Sequence, residues 1–329
     1  MTKKILFFKN SEIDKILKLK IKDIYKAEIL ASICRLNTLS IIKRAGSGHI
    51  GTSFSAMDIF VWVKFFKFKT LKKDLKSPNR NIFFSSKGHD VPALYSILYA
   101  QKIINFDKIL KLRRLGGLDG HPDVSCPGIE SNTGSLGMGI SKAKGFLWAK
   151  KYKKNKGQVI TMIGDGEFQE GQIFESLQSI PQQKLNDIIV IMDHNKIQSS
   201  QFVKKIIDLK DLRKKIESFG WYVQRCNGHS FKEIERVLKK IKKINNKPRF
   251  LIADTIKGKG VNFMEHSSVM KNNKYYNWHA GAPNDFYFEK AQEILLKKVQ
   301  KKLIKKNIEK LKVTNIVSKK NNTKIFEIH

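Results

Sequence analysis

The stretch from Val159 to Ser200 constrains the fold of this chain more than any other. It begins with a short, mostly apolar run, Val159 to Ile163, and such a run bounded by glycine is typical of a strand buried on both faces. A helical spacing of apolar residues follows from Glu167 to Pro181, and a second apolar run covers Ile188 to Met192. The pattern predicts a strand–helix–strand unit of a parallel sheet.

Polar residues follow both of these strands. Asp165 lies between Gly164 and Gly166, and Asn195 follows the second strand. Because the carboxyl ends of parallel strands open onto one crevice, we expect the two side chains to face each other there. Carboxylate and amide oxygens suit Mg²⁺ or Ca²⁺, and a helix N-terminus beside Gly166 favours an anion. The residues therefore indicate a metal-diphosphate site, although for Gly-Asp-Gly alone a tight turn is the commoner explanation.

The spacing of this unit resembles a known cofactor fingerprint. Gly-Asp-Gly, an amphipathic helix, a buried strand and Asn together resemble the thiamine-diphosphate motif, and the QEG at Gln169–Gly171 resembles the transketolase family. The resemblance implies Mg²⁺ on Asp165, Asn195 and the main-chain carbonyl of Ile197. It also implies that Gly166 and Asn195 contact the cofactor, and that Glu170 does so at the interface with a partner domain. His194 and Ser200-Gln201 depart from the family pattern, which often has Asp and Asp-Gly there.

Four histidines lie in loops bounded by small residues. The motifs are SGHIG at 47–51, SKGH at 86–89, GHPD at 120–123 and WHAGAP at 278–283. A single histidine in such a loop is more often simply exposed, but the four motifs together resemble those of transketolases. The resemblance implies that His49, His121 and His279 are catalytic residues that contact the sugar, and that His89 lies near the diphosphate. Ala280 replaces the usual glycine of the fourth motif.

A glycine-rich segment, Pro127 to Gly139, leads into a predicted helix from Ile140 to Tyr152. Glycines before a helix allow close passage of a cofactor, but a bare glycine-rich loop is a weak signal. This segment resembles the TGSLGQG motif of split transketolases, with Met138 in place of Gln. The resemblance implies that Gly134 and Leu136 contact thiamine diphosphate.

Predicted strands alternate with predicted helices along the chain, which indicates an α/β fold with a doubly wound parallel sheet flanked by helices. The resemblance implies the thiamine-diphosphate-binding fold, with residues 1–295 as a transketolase N-terminal domain. Residues 296–329 are Lys-rich and predict a helix followed by a fraying tail. We also expect one or two helices within 11–44 and a helix from Asp208 to Phe219. The predicted strands are Asn81–Ser85, Val159–Ile163, Ile188–Met192, Trp221–Arg225 and Phe250–Ala253.

The composition bears on the possible partners. A net charge of +35 and a pI of about 10.0 are typical of nucleic-acid-binding proteins. The excess is dispersed lysine without an aromatic-interleaved basic motif, so we expect no specific nucleic-acid binding. No apolar stretch is long enough to span a membrane. The three cysteines are far apart and form no CxxC, and the N-terminus lacks the features of a signal peptide, which favours a cytoplasmic protein.

The resemblance covers the diphosphate-binding part of a transketolase, and we expect no pyrimidine-binding domain in this chain. It therefore resembles the N-terminal subunit of a split transketolase, which moves a two-carbon ketol unit from a ketose phosphate to an aldose phosphate in the pentose phosphate pathway. This implies thiamine diphosphate, Mg²⁺, sugar-phosphate substrates and a C-terminal subunit that supplies the pyrimidine-binding half. We expect a heterotetramer of two chains of each kind.

Three alternatives remain open from the sequence. A 1-deoxyxylulose-5-phosphate synthase shares the GDG fold and the histidine loops, although the SKGH, GHPD and WHAGAP motifs favour a transketolase. A basic nucleic-acid-binding protein would be indifferent to thiamine diphosphate and would bind DNA in a salt-sensitive way. A decayed subunit would keep the fold and lose ligands, whereas every mapped ligand is present.

Overall fold

The structure is a computed structural model that describes residues 4–69 and 71–316. The α-helices are α1 (Asn10–Lys18), α2 (Asp23–Ala45), α3 (Ile50–Val61), α4 (Val91–Ala100), α5 (Phe106–Ile109), α6 (Gly139–Tyr152), α7 (Gly171–Gln182), α8 (Val203–Ile206), α9 (Leu212–Glu217), α10 (Phe231–Lys242), α11 (His266–Asn272) and α12 (Asp285–Ile304). The strands are β1 (Leu6–Phe7), β2 (Ile82–Ser85), β3 (Val159–Gly164), β4 (Ile188–His194), β5 (Ile197–Gln198), β6 (Gln201–Phe202), β7 (Tyr222–Asn227), β8 (Arg249–Asp254) and β9 (Thr314–Asn315). A π-helical turn, Trp62–Lys67, continues α3, and 3₁₀ turns cover Lys72–Asp74, Glu167–Gln169 and Asn262–Met264.

The central sheet has five strands in the order β2-β3-β4-β8-β7, and every neighbouring pair is parallel. This confirms the predicted α/β class, and each of the five predicted strands overlaps one strand of the sheet. In β3, Val159 and Ile163 pack into one core while Ile160 and Met162 pack into the other. Both faces of the strand are therefore buried, as its apolar run predicts.

Helices cover both faces of this sheet. Apolar residues of α6, α7 and α9 form the core on one face, and those of α2, α3, α4, α10 and α12 form the core on the other. Among the described residues, no helix is both long and apolar enough to cross a membrane.

The helix predicted from Glu167 to Pro181 differs from the structure at both ends. Residues Glu167–Gln169 form a 3₁₀ turn, and α7 begins only at Gly171. Pro181 lies inside α7, where its missing N–H leaves the carbonyl of Leu177 without its helical donor. The indole Nε1 of Trp221 donates to that carbonyl at 2.9 Å, so a tertiary contact allows the helix to continue past the proline.

The boundaries of two other predicted helices also differ from those in the structure. The helix predicted from Asp208 begins at Leu212, because Asp211 is the N-cap and accepts from the amide of Lys214. The helix predicted after Leu296 is the second half of α12, which begins at Asp285 with Asn284 as its N-cap. The boundary drawn at 295/296 therefore falls inside one helix. Beyond α12, β9 pairs antiparallel with β1 near the start of the chain, and the predicted fraying tail from 317 to 329 lies outside the described residues.

Candidate active site

A cleft of about 250 Å³ opens where β2, β3 and β4 end and their loops begin. It brings together every predicted site residue except Glu170, from segments that are far apart in the sequence. The predicted residues that line it are His49, His89, His121, Gly134, Leu136, Asp165, Gly166, Asn195, Ile197 and His279. Glu170 is exposed and is the N-cap residue of α7, outside this lining.

One wall of the cleft is rich in oxygen atoms. Gly164 at the end of β3 pairs with Asp193 of β4, so the residues that follow these strands reach the same edge. Asp165 is 2 % exposed, and its carboxylate accepts from the amides of Gly166, at 2.8 Å, and Lys196. The amide oxygen of Asn195 accepts from the backbone N–H of Ile197 at 3.1 Å. Burial raises the pKa of Asp165, so a nearby cation would stabilise its ionised form.

The donor set of this wall fits a hard cation. Among the described residues, no group of three or more His, Cys, Asp or Glu side chains could hold a metal ion. Asp165, Asn195 and the carbonyl of Ile197 are oxygen donors of the kind that Mg²⁺ uses together with phosphate oxygens. The carbonyl of Ile197 already accepts from an ammonium group, Lys257 Nζ, at 3.1 Å. An oxygen atom of this wall is therefore already in contact with a positively charged group.

A second part of the lining, the histidine wall, consists of four imidazoles, with His49 at the centre. Its ring centroid lies 5.3 Å from that of His89, 6.2 Å from His121 and 5.2 Å from His279. Burial, with nearby Arg113, lowers the pKa of His49 to about 4. Burial, with nearby Lys257, lowers the pKa of His279 to about 3, and burial also lowers the pKa values of His89 and His121. All four rings are therefore neutral at pH 7.

Hydrogen bonds indicate which ring nitrogens are available. His89 Nδ1 lies 2.8 Å from the carbonyl of Lys87, and because a carbonyl only accepts, this nitrogen carries the proton and Nε2 is an acceptor. His49 Nδ1 is buried and has no partner among the described residues. A neutral ring with a free nitrogen can accept a proton from a hydroxyl group of a ligand or donate one to it.

Backbone contacts hold the histidine loops together. The amide of Gly51, two residues after His49, donates to the carbonyl of Trp278 beside His279 at 3.0 Å. A side chain at Gly51 would place its Cβ 2.7 Å from that carbonyl, so glycine is required for this approach. Gly134 has a φ of +131°, and its added Cβ would lie 2.8 Å from the ring of His121. The glycines thus let backbone pass close to the imidazoles.

Two buried lysines that sequence reasoning missed also line the cleft. Lys257 Nζ donates to the carbonyls of Ile197 and Ser199, at 3.1 and 3.2 Å, and lies 3.1 Å from His279 Nδ1. Burial lowers its pKa to about 7. Lys87 donates to Thr52 Oγ1 at 2.8 Å and to the carboxylate of Asp193. Burial alone would lower the pKa of Lys87, but the adjacent carboxylates outweigh it and raise the pKa.

Glu167 is a third residue that sequence reasoning missed. Its buried carboxylate accepts from the backbone amides of Gly137 and Gly164, each at 3.0 Å, and from the hydroxyl of Ser86. It therefore joins the glycine-rich loop, the end of β3 and the loop of His89. Burial raises its pKa despite these donors. Its position directly after Gly-Asp-Gly is the one sequence signal that could have identified it.

The chain is similar to known proteins over most of its length. The profile of the family described as transketolase, thiamine diphosphate binding domain, matches residues 26–277. The chain is 34% identical over 267 residues to an apulose-4-phosphate transketolase subunit of Phocaeicola vulgatus, covering 81% of this chain and 92% of that protein. It is 35% identical over 246 residues to 6-deoxy-6-sulfo-D-fructose transketolase subunit SqwG of a Clostridium species, covering 74% and 90%.

Solved structures show the same fold in longer proteins. Transketolase from Campylobacter jejuni aligns with a TM-score of 0.71 and 26% identity, over 85% of this chain and 48% of that chain. Transketolase from Leishmania mexicana aligns with a TM-score of 0.69 and 21% identity, over 85% and 45%. The chain therefore spans about half the length of these solved relatives.

Proposed function

The chain belongs to the family of transketolase thiamine diphosphate binding domains, and we propose that it is the N-terminal subunit of a split transketolase. In this role it binds thiamine diphosphate and Mg²⁺ and takes part in moving a two-carbon ketol unit between sugar phosphates. The relatives that match it over nearly their whole length are named as subunits, which supports this assignment.

One observation carries the proposal: a single cleft is lined both by hard oxygen donors and by neutral imidazoles. Asp165, Asn195 and the Ile197 carbonyl would hold Mg²⁺, which would supply positive charge for the diphosphate. Gly166, Gly134 and Leu136 would contact the cofactor, and His89 would lie near its diphosphate. The ammonium of Lys257 beside the oxygen wall would add positive charge for the same anion. Bound thiamine diphosphate would supply the carbon nucleophile of ketol transfer.

The other histidines act on the sugar. His49, His121 and His279 would hold its hydroxyl and carbonyl groups and exchange protons with them. Because their pKa values lie below 6.5, these rings stay neutral at physiological pH and keep one donor and one acceptor nitrogen each. An imidazole that already carried a positive charge could not serve as a base, so this neutrality suits proton exchange.

The second half of the active site would come from another subunit. We assign the pyrimidine end of the cofactor to a C-terminal transketolase subunit, with two chains of each kind in a heterotetramer. Glu170 is exposed beside the glycine-rich loop, which suits a contact with that partner. Sugar phosphates of the pentose phosphate pathway are the substrates expected for this enzyme.

We place the assembly in the cytoplasm. Cys34, Cys126 and Cys226 are buried and none forms a disulfide, which suits a reducing compartment.

The test is to assay ketol transfer from xylulose 5-phosphate to an aldose phosphate with thiamine diphosphate and Mg²⁺ present. We expect no turnover from this chain alone and turnover when the candidate C-terminal subunit is added. Turnover before that addition would contradict the split-enzyme proposal. Absence of turnover after it would favour another thiamine-diphosphate reaction, which 1-deoxyxylulose-5-phosphate synthase substrates would reveal.

A further inference from the structure

The Lys257 segment, residues 255–258, leads from the end of β8 into the active-site cleft. The side chain of Lys257 is 2 % exposed and forms part of the lining of the cleft. A buried backbone N–H needs an acceptor, and the two outer amides of the segment have backbone carbonyls. The first amide donates to the carbonyl of His194 at 3.1 Å, and the last donates to the carbonyl of Gly51 at 2.9 Å.

The two middle amides of the segment donate to imidazole nitrogens instead. The N–H of Ile256 donates to Nε2 of His229 at 2.8 Å, and the N–H of Lys257 donates to Nδ1 of His266 at 3.0 Å. Because an N–H only donates, each of these two ring nitrogens is unprotonated. Both rings lie outside the lining of the cleft, so they can influence a ligand there only through the Lys257 segment.

His266 binds both backbone groups of Lys257. Its ring accepts from the N–H of Lys257, and its own N–H donates to the carbonyl of Lys257 at 2.9 Å. The residue is 7 % exposed, and burial lowers the pKa of its ring to about 4, so Nδ1 can accept at pH 7. One residue therefore fixes the two peptide groups on either side of the Lys257 Cα.

An ion pair in the core fixes the ring of His229. Its Nδ1 lies 2.7 Å from a carboxylate oxygen of Asp58, whose two oxygens accept from Arg35 at 2.6 and 2.9 Å. Burial alone would raise the pKa of Asp58, but the adjacent Arg35 and His229 outweigh it and lower the pKa. Because an ionised carboxylate only accepts, Nδ1 of His229 carries the proton and Nε2 is left as the acceptor for Ile256.

We propose that His229 and His266 are positioning residues, which hold the backbone of Lys257 so that its ammonium group stays in the cleft. The stem of a lysine is flexible, so the position of its charge depends on how firmly its backbone is fixed. Loss of either ring acceptor would leave a buried N–H unpaired, which favours displacement of the segment. The inference rests on the proposed function for the identity of the ligand, the diphosphate of the cofactor.

Matched pairs of variants separate the acceptor from the ring. His266→Asn keeps an oxygen acceptor close to the position of Nδ1, whereas His266→Leu has a similar size and no acceptor. His229→Gln and His229→Met give the same comparison at the position of Nε2. Both members of a pair lose the imidazole, so a general loss of stability affects both of them, whereas loss of the acceptor affects only one.

Amide exchange of Ile256, measured by NMR on the full chain, tests the contact with His229. Thr255-Ile256 is the only Thr-Ile pair in the sequence, so ¹³C-carbonyl threonine and ¹⁵N-isoleucine introduced by cell-free synthesis select this one amide. We expect its exchange to be at least about tenfold faster in His229→Met than in the wild type, and close to the wild type in His229→Gln. Equal exchange rates in the three proteins would overturn the role of His229.

The amide of Lys257 tests the contact with His266 in the same way. Labelled isoleucine carbonyls and lysine nitrogens select only lysines that follow an isoleucine, and Lys257→Arg identifies the signal of Lys257. We expect exchange to be at least about tenfold faster in His266→Leu, and close to the wild type in His266→Asn. Unchanged exchange in His266→Leu would overturn the role of His266.

Calorimetry with the partner subunit and Mg²⁺ tests the consequence for the cofactor. We expect the affinity for thiamine diphosphate to fall about tenfold in His266→Leu and His229→Met, and to stay close to the wild type in His266→Asn and His229→Gln. Wild-type affinity in both acceptor-free variants would overturn the positioning role. If the wild-type complex bound no thiamine diphosphate, the proposed function would fail, whereas faster amide exchange confined to the acceptor-free variants would still support the role of the two rings.

Discussion

The two walls of the active-site cleft are built in different ways. The oxygen wall, Asp165, Asn195 and the Ile197 carbonyl, comes from one strand–helix–strand unit and is placed by the pairing of β3 with β4. The histidine wall, His49, His89, His121 and His279, comes from four loops that are far apart in the sequence. Backbone contacts such as Gly51 N–H to the Trp278 carbonyl hold these loops together.

Their electrostatics differ as well. On the oxygen wall, burial raises the pKa of a carboxyl group, Asp165, so its ionised form needs a cation. On the histidine wall, burial lowers the imidazole pKa values, so the rings need no counter-ion. Under the proposed function, the oxygen wall would bind the cofactor through charge, while His49, His121 and His279 of the histidine wall would contact the substrate through neutral hydrogen bonds. Substitutions in the two walls should therefore affect different steps.

The largest expected effect is on turnover. We predict that His49→Ala and His121→Ala, tested separately with the partner subunit, each lower kcat on the order of 100-fold, because each removes a hydrogen bond that strengthens in the transition state. Thiamine diphosphate binding should stay close to that of the wild type. Steady-state kinetics and calorimetry measure the two effects. Poor cofactor binding with normal turnover at saturation would show that these residues bind the cofactor and not the sugar.

For Glu167 we expect weaker cofactor binding with little change in turnover. In Glu167→Gln one carboxylate oxygen becomes an NH₂ group, which cannot accept a hydrogen bond from the backbone N–H of Gly137 or Gly164, so one acceptor interaction is lost. We predict that the apparent KM for thiamine diphosphate rises about tenfold while kcat at saturating cofactor changes little. Glu175→Gln, at an exposed position of α7, is the matched control. A fall in kcat at saturation without any change in cofactor KM would assign Glu167 to the substrate side.

The smallest expected effect is on stability as a function of pH. The pKa values of His49 and His279 fall from 6.5 to about 4 and about 3 in the folded chain, so the unfolded chain binds protons first as the pH falls. These two histidines therefore leave the free energy of unfolding at its full value above about pH 6.5, and they lower it progressively as the pH falls below about 6.5. We predict that the free energy of unfolding falls on the order of 1 kcal/mol per histidine between pH 7.5 and pH 5.5.

Urea unfolding at the two pH values measures this change. The double variant His49→Gln/His279→Gln should show a smaller pH dependence than the wild type. The same dependence in both proteins would mean that the two rings are not held neutral by the fold.

The sheet could be predicted because strands buried on both faces leave continuous apolar runs, as in Val159–Ile163 and Ile188–Met192. The break before α7 could not, because the carboxylate of Glu167 is fixed by residues from the glycine-rich loop and from β3. The passage of α7 through Pro181 also depends on a distant residue, Trp221. Local patterns predict elements, whereas these exceptions arise from tertiary contacts.

The residues of the candidate site also differ in how far the sequence could predict them. Asp165 and Asn195 follow from strand ends and ligand chemistry, while the four histidines were assigned through resemblance because each loop alone is uninformative. Lys257 was missed because a single lysine does not stand out in a chain with 64 lysines and arginines. Only the fold shows that it is buried against the Ile197 carbonyl.

The most direct test of the account is the binding of thiamine diphosphate, measured by calorimetry with and without Mg²⁺ in the presence of the partner subunit. For the wild type we predict Mg²⁺-dependent binding and, at 100 times the Kd, stabilisation of about 2.7 kcal/mol. Asp165→Asn should lose both, whereas the control Asp187→Asn, at a side chain that is 75% exposed, should keep them. Full Mg²⁺-dependent binding in Asp165→Asn would show that the metal site lies elsewhere and would contradict the account.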